Sequence, residues 1–334
     1  MSERGIGAVA QSGVRYLGAC VRGKAPPLGV SPGRFWWELG RALRPHFFFI
    51  PAGAALAGAA ADGSVDSPLR AGVVTFGAGL GWGVGQLLND LLDVEADRVD
   101  APHRATVRGL LPTGPTSSVA LGLGLLVAGL MAVAAPSALV LLPAAVLLIW
   151  IYSNAKRFPA FGNLAHGALV AVAAGFGVLA DPGAGGESHG AAPMLAYTGS
   201  VAALYLQANY EKDRLGDRAA GYRTLAHVLG VRGSALLRVV ASVGLFAIAL
   251  GQVLPSTGAR AVAALGVVAV LLGTIAPLRH DTESASLSGY PWSIHGAACL
   301  MFAPTVAVAP IAALIGLGLA VLLTERARRL HENP

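Results

Sequence analysis

Within "QLLNDLLDVEADR", residues 86–98, Asn89, Asp93 and Asp97 recur every four residues and Asp90 stands three before Asp93. At 3.6 residues per helical turn this spacing forms one stripe, so several side-chain oxygens can reach the same space. A second stretch, "NYEKDRLGDRAAGYRTLAHVLG" at 209–230, repeats the pattern with Asn209, Asp213 and Asp217, and surrounds it with Lys212, Arg214, Arg218 and Arg223. Carboxylates alone point to a metal; carboxylates beside guanidinium and ammonium groups point to a metal together with a phosphate. With oxygen donors and no His or Cys cluster, the expected ion is Mg²⁺ and not zinc. Either stretch alone reads equally well as a solvated charged loop. It is the repetition of the spacing that favours a site.

The elements that must carry these groups are apolar. Hydrophobic residues make up 54% of the 334 and charged residues only 13%, about half the charge of an ordinary soluble domain. Nine stretches are long and apolar enough to span a bilayer at roughly 20 residues each: 39–61, 69–92, 116–134, 136–153, 162–180, 192–210, 235–254, 259–278 and 295–322. They lack the strict alternation of membrane strands, and an open sheet edge has no partner in lipid. The expected fold is all-α: a polytopic membrane protein of about nine helices in one bundle.

Residues 1–34 carry no early apolar core, so no signal peptide is expected and the segment is placed on the cytoplasmic side. With that orientation only Arg70, Arg260, Arg326, Arg328 and Arg329 face outward, and every other Lys and Arg lies inside, as the positive-inside rule requires. Both Asp stretches then fall on the cytoplasmic face. The polar tail 325–334 conflicts with a count of nine, which would place it outside. The net charge of +6 fits anionic lipid and an anionic substrate, and no basic face with interleaved aromatics points to nucleic acid. Cys20 and Cys299 are read as unpaired thiols. Gly77, Gly81 and Gly85 form a small-xxx-small pattern expected to serve close helix packing; they are not a dinucleotide loop.

"NDLLDVEAD" resembles the NxxxDxxxD motif of the UbiA-type intramembrane prenyltransferase superfamily, and "DRLGDRAAGYRTLAHVLG" resembles its second motif. The likeness runs from about Arg41 to the last helix and implies one transmembrane domain, 35–324, with a lateral lipid-facing cavity. It implies an integral membrane protein of bacterial inner-membrane type, with membrane lipid around it and its active site on the cytoplasmic side. It further implies that Asn89, Asp90, Asp93, Asp97, Asp213 and Asp217 hold Mg²⁺, which binds the diphosphate of an isoprenoid. Asn89, Arg104, Arg108, Lys156, Arg157, Lys212 and Arg214 would contact that diphosphate, and Asp93, Asp97, Asp213, Asp217, Lys156 and Tyr210 would be the catalytic set. "HRATVRGLLPTG" is similar to the family's basic loop, with Gly109 where Pro is usual.

The implied chemistry is ionisation of an allylic carbon–oxygen bond, favoured when preorganised positive charge stabilises the departing diphosphate. Tyr152, Tyr205, Tyr210 and Trp150 could steady the cation through their π faces, or belong to an interfacial aromatic belt. The leading expectation is transfer of the prenyl group to an aromatic or lipid acceptor, with Arg41, Arg44 and His46 supplying acceptor contacts. A terpene cyclase is the alternative, and a transporter or lipid-binding scaffold a third class. His166 is a further acceptor candidate, while His103, His227, His280 and His295 show no ligand spacing.

Overall fold

The structure, a computed structural model, describes residue 15 and residues 29–62, 67–155, 158–180, 190–219, 221–306, 309–310 and 313–322. Lys156, Arg157, Cys20, Arg326, Arg328 and Arg329 lie outside the described residues. Among those described, every regular element is a helix, as a chain in lipid requires when no sheet can close on itself.

In chain order these are α1 (Pro32–Ala42), α2 (Phe49–Asp62), α3 (Pro68–Leu92), α4 (Val94–Asp100), α5 (Thr113–Ala134), α6 (Leu142–Ala155), α7 (Phe161–Val178), α8 (Ala191–Lys212), α9 (Arg214–Ala219), α10 (Leu225–Gln252), α11 (Thr257–Arg279) and α12 (Glu283–Phe302). A last helix, α13 (Ala313–Leu322), follows. Local sequence sets several starts. Ser31 caps α1 by accepting from the Arg34 amide at 3.3 Å, with Pro32 at the first helical position. Ser256 and Thr282 do the same for α11 and α12, each satisfying an amide the helix leaves open.

Among the described residues, six helical segments are long and apolar enough to cross a membrane: α3, α5, Pro136–Ala155 (which includes α6), α7, α10 and α11. Three of the nine expected spans differ. The stretch 39–61 is broken into α1 and α2 by a short 3₁₀ turn at Pro45–Phe47: the right-handed helical region is disfavoured before Pro45, and Arg44 stands outside it at φ +50°. The stretch 295–322 is divided at the 3₁₀ turn Ala303–Thr305, where Pro304 cannot continue the ladder. The stretch 192–210 is helical, but α8 carries Gln207, Asn209, Glu211 and Lys212 in its last turns.

The chain divides into two compact units, residues 1–45 with 80–129, and residues 46–79 with 130–334. The first unit is built on Val30, Phe35, Leu39, Val84, Leu87, Leu111 and Ala120. In the second, α11 packs on α12, α2 on α7, and α7 on α8. Small residues permit these contacts. A methyl group at Gly58 would stand 1.9 Å from the Ala174 carbonyl oxygen, and one at Gly177 the same distance from that of Ala55. Between α11 and α12, a Cβ at Gly289 would stand 1.9 Å from the Gly273 carbonyl oxygen, and one at Gly273 2.6 Å from that of Gly289. Of the expected stripe at 77, 81 and 85, Gly81 makes no close contact: a Cβ there would meet nothing within 4 Å.

Candidate active site

In the first unit, Asn89 and Asp90 occupy the last turn of α3, Asp93 sits at the junction, and Asp97 lies on α4. The stripe expected from the spacing survives the junction. The Asp93 amide donates to the Asn89 carbonyl at 2.9 Å and the Asp97 amide to that of Asp93 at 2.8 Å. Asp93 itself relaxes to φ −94°, ψ 9°. Asn89, Asp90 and Asp97 are buried and Asp93 is half-buried.

Two arginines hold this stripe. Arg44 donates to Gln86 Oε1 at 2.8 Å and to Asp90 Oδ1 at 2.6 Å. Arg104 reaches the same Asp90 oxygen at 3.2 Å and Asp97 Oδ2 at 2.5 Å. The expected diphosphate ligand Arg104 thus bridges two of the expected metal ligands, and Arg108 is exposed. The loop that delivers Arg104 turns at Gly109, whose φ of +70° a proline fixed near −65° cannot adopt. The departure from the family's usual Pro therefore has a backbone cause. Burial pushes the Asp97 carboxyl above the usual carboxylate range; Arg104 draws it down, and Asp90 and Asp93 push it up.

In the second unit the same construction is repeated. Asp213 follows α8 at φ −94°, ψ 10°, its amide donating to the Asn209 carbonyl at 2.9 Å, and the Asp217 amide donates to that of Asp213, also at 2.9 Å. The short helix α9 then carries Arg214 and Asp217. Asp217 is buried and Asp213 exposed, with Lys212 Nζ 2.6 Å from Asp213 Oδ1. The agreement in backbone geometry with the first stripe is close: a long helix, a relaxed Asp, a short helix, and i→i+4 bonds across the break.

Around it stand aromatic rings. Tyr210 is buried with Leu206, Ala226 and Tyr152, and Gly162 leaves room for its hydroxyl, which a Cβ there would meet at 2.2 Å. Tyr205 contacts Phe47, Phe49 and His166, and His166 also contacts Tyr152. Trp150 is exposed, as an interfacial ring would be. Of the expected acceptor groups, Arg41 lies 3.5 Å from Glu38, Arg44 is held as described, and the His46 ring packs on Phe47.

Sequence reasoning missed a second set. Arg238, which the loop count placed among the cytoplasmic charges, is buried on α10 and grips both oxygens of Glu211 at 2.7 Å, with Ser293 on its remaining nitrogen. A charged residue inside the apolar stretch 235–254 was the available signal. Tyr290, whose hydroxyl donates to Asn209 Oδ1 at 2.7 Å, carried no signal at all.

Every donor in the two stripes is a carboxylate or amide oxygen, and this chemistry fits Mg²⁺. Among the described residues no three of Asp, Glu, His and Cys gather around one point; in the first stripe Asp90 and Asp97 are turned to Arg104 instead.

A chain of helices, several of them long and apolar enough to cross a membrane, with two Asn/Asp stripes built alike at helix ends, is a polytopic integral membrane protein carrying two candidate oxygen-donor sites. Residues 48–290 match the UbiA prenyltransferase family, and the chain belongs to it as an intramembrane prenyltransferase. It is 30% identical over 211 residues to the digeranylgeranylglyceryl phosphate synthase of Pyrococcus abyssi, spanning 60% of this chain and 72% of that one. It is 33% identical over 197 residues to the synthase of the same name from Halobacterium salinarum, spanning 56% and 67%. The fold resembles that of a UbiA homologue from Archaeoglobus fulgidus bound to DMAPP and Mg²⁺, with a TM-score of 0.62, 15% identity, and coverage of 81% of this chain and 99% of that one. A UbiA homologue from Aeropyrum pernix matches at a TM-score of 0.61, 16% identity, and coverage of 84% and 98%.

Proposed function

We propose that the protein transfers a prenyl group from an isoprenyl diphosphate, with Mg²⁺, to a hydroxyl of a phosphate-bearing lipid acceptor, working at the cytoplasmic face of its membrane. The observation that carries this reading is the duplicated stripe, an Asn and two Asp at intervals of four, with the same backbone relaxation at Asp93 and Asp213. The lipid acceptor is favoured by two relatives named for a prenylated glyceryl phosphate. No observation on the chain favours internal cyclisation.

In this reading Asn89, Asp93 and Asp97, and Asp213 with Asp217, hold Mg²⁺, with Asp90 supporting the first group. Bound Mg²⁺ supplies charge stabilisation to the departing diphosphate. The residues of the chain do the rest. Arg104 and Lys212 pair with Asp97 and Asp213; in this reading each gives up its carboxylate for a diphosphate oxygen when substrate binds, and Arg108, Lys156, Arg157 and Arg214 are proposed as further cationic contacts. The bond between the allylic carbon and the diphosphate oxygen breaks, and its electron pair leaves with diphosphate. A bond forms between that carbon and the acceptor oxygen, whose proton passes to the released diphosphate. The aromatic group of Tyr152, Tyr205, Tyr210 and His166 offers a water-poor, electron-rich wall suited to the allylic cation.

The test is purified protein with Mg²⁺ and geranylgeranyl diphosphate, supplied with a prenylglyceryl phosphate, a hydroxybenzoate, or no acceptor, followed by mass analysis of the extract. A new ether-linked phospholipid supports the proposal. A prenylated ring would replace the acceptor class, and a cyclic hydrocarbon formed without acceptor would make the protein a cyclase. Chelation with EDTA should stop turnover and added Mg²⁺ restore it.

A further inference from the structure

The second stripe is held by a helix far along the chain. On α12, the Tyr290 hydroxyl donates to Asn209 Oδ1 at 2.7 Å, while Asn209 Nδ2 donates to the Tyr205 carbonyl one turn back at 3.2 Å. Both ends of the amide are engaged, so its orientation is set from two sides. The same tyrosine presents its ring to the Lys212 ammonium, 5.3 Å from the ring centroid, and that ammonium is 2.6 Å from Asp213 Oδ1. One turn further along α12, Ser293 takes a hydrogen bond from Arg238, whose other nitrogens hold Glu211. Glu211 stands between Tyr210 and Lys212, so α12 holds the end of α8 directly through Asn209 and indirectly through Arg238 of α10.

We infer that Tyr290 is a positioning residue for the second acidic stripe: its hydroxyl orients the Asn209 amide and its ring seats the Lys212 ammonium beside Asp213. The inference rests on the proposed role of that stripe in binding an isoprenyl diphosphate. Its physical content is preorganisation. A long, flexible lysine side chain loses rotamer freedom when it binds an anion, and a π face that holds it in advance removes part of that loss. An amide with both ends fixed likewise needs no reorientation when substrate arrives.

Two substitutions separate the two contacts. Tyr290→Phe removes the hydroxyl and keeps the ring; Tyr290→Leu removes both. Binding of the unreactive analogue geranylgeranyl S-thiolodiphosphate would be measured by calorimetry on the full chain with and without Mg²⁺, beside KM, kcat and melting temperature. Tyr290→Phe should weaken binding and raise KM by roughly three- to tenfold, the worth of one hydrogen bond, with kcat and melting temperature nearly unchanged. Tyr290→Leu should weaken binding further. In the Asn209→Ala background, Tyr290→Phe should add nothing, because the residue acts through Asn209.

Wild-type affinity in Tyr290→Phe, or losses that multiply in the double variant, would overturn the role of the hydroxyl. Equal affinities of the Phe and Leu variants would overturn the role of the ring. If the wild-type protein fails to bind the analogue in Mg²⁺, the proposed function itself falls, and the inference with it.

Discussion

Arg238→Met should cost about 4 kcal/mol of stability, and the structure shows why. The Arg238 and Glu211 side chains are 3% and 2% exposed, and two nitrogens of the guanidinium meet the two carboxylate oxygens at 2.7 Å each. Methionine fills similar volume but donates nothing. Glu211 then remains in a dry interior with both oxygens unpaired. Charge-assisted hydrogen bonds contribute about 1.5–3 kcal/mol each, so losing two costs about 3–6 kcal/mol, and breaking one side of a buried pair typically costs about 3–5 kcal/mol. Replacing both partners, as in Glu211→Leu with Arg238→Met, removes the stranded charge along with the bonds and should come within about 2 kcal/mol of wild type. Arg238→Lys keeps the charge but not the two-pronged geometry and should fall between. The assay is reversible denaturant unfolding in mixed micelles, completed as a double-mutant cycle. A coupling energy under about 1 kcal/mol, or an Arg238→Met variant no less stable than one at the half-exposed Arg34, would refute the reasoning.

Three further outcomes are expected. Asp93→Ala and Asp213→Ala should each abolish turnover in the mass-spectrometric assay while the protein stays folded in detergent, since each removes a proposed metal ligand; normal activity in either would remove that residue from the site. Arg44 holds Gln86 and Asp90 from a left-handed backbone at φ +50°, so Arg44→Gly should melt above Arg44→Ala by the equivalent of about 1 kcal/mol, although both lose the same hydrogen bonds. Asp97 holds its proton more tightly when folded than the ordinary value of 3.8. Its contribution to stability is therefore present at low pH and lost as pH rises through the raised value. In Asp97→Asn, melting curves taken from pH 4 upward should lack that decline, and an unchanged slope would show that Asp97 is not its source.

Much of this was legible along the chain. The apolar runs report a lipid solvent because composition and run length are one-dimensional properties, and they hold wherever the helices pack. Asn89, Asp93 and Asp97, and their counterparts Asn209, Asp213 and Asp217, were legible for the same reason: an interval of four is local helix geometry, and the i→i+4 bonds keep it even where the helix relaxes at Asp93 and Asp213. Proline positions, by contrast, were underweighted. Pro45 and Pro304 divide stretches that hydropathy averages into single spans, because an average over a window does not register one missing amide.

What the sequence by itself determined is thus the solvent, the helical class and the four-residue spacing of the two Asn/Asp stripes. Only the tertiary structure decided their partners. That Arg44 and Arg104 share one oxygen of Asp90, that Arg238 is buried against Glu211 and not left in a cytoplasmic loop, and that Tyr290 reaches Asn209 across 81 residues follow from which helices touch. Those contacts depend on close packing at small residues such as Gly58 and Gly177. A hydrogen bond needs its two atoms within about 3 Å, and no property of either residue's neighbours in the chain fixes that distance.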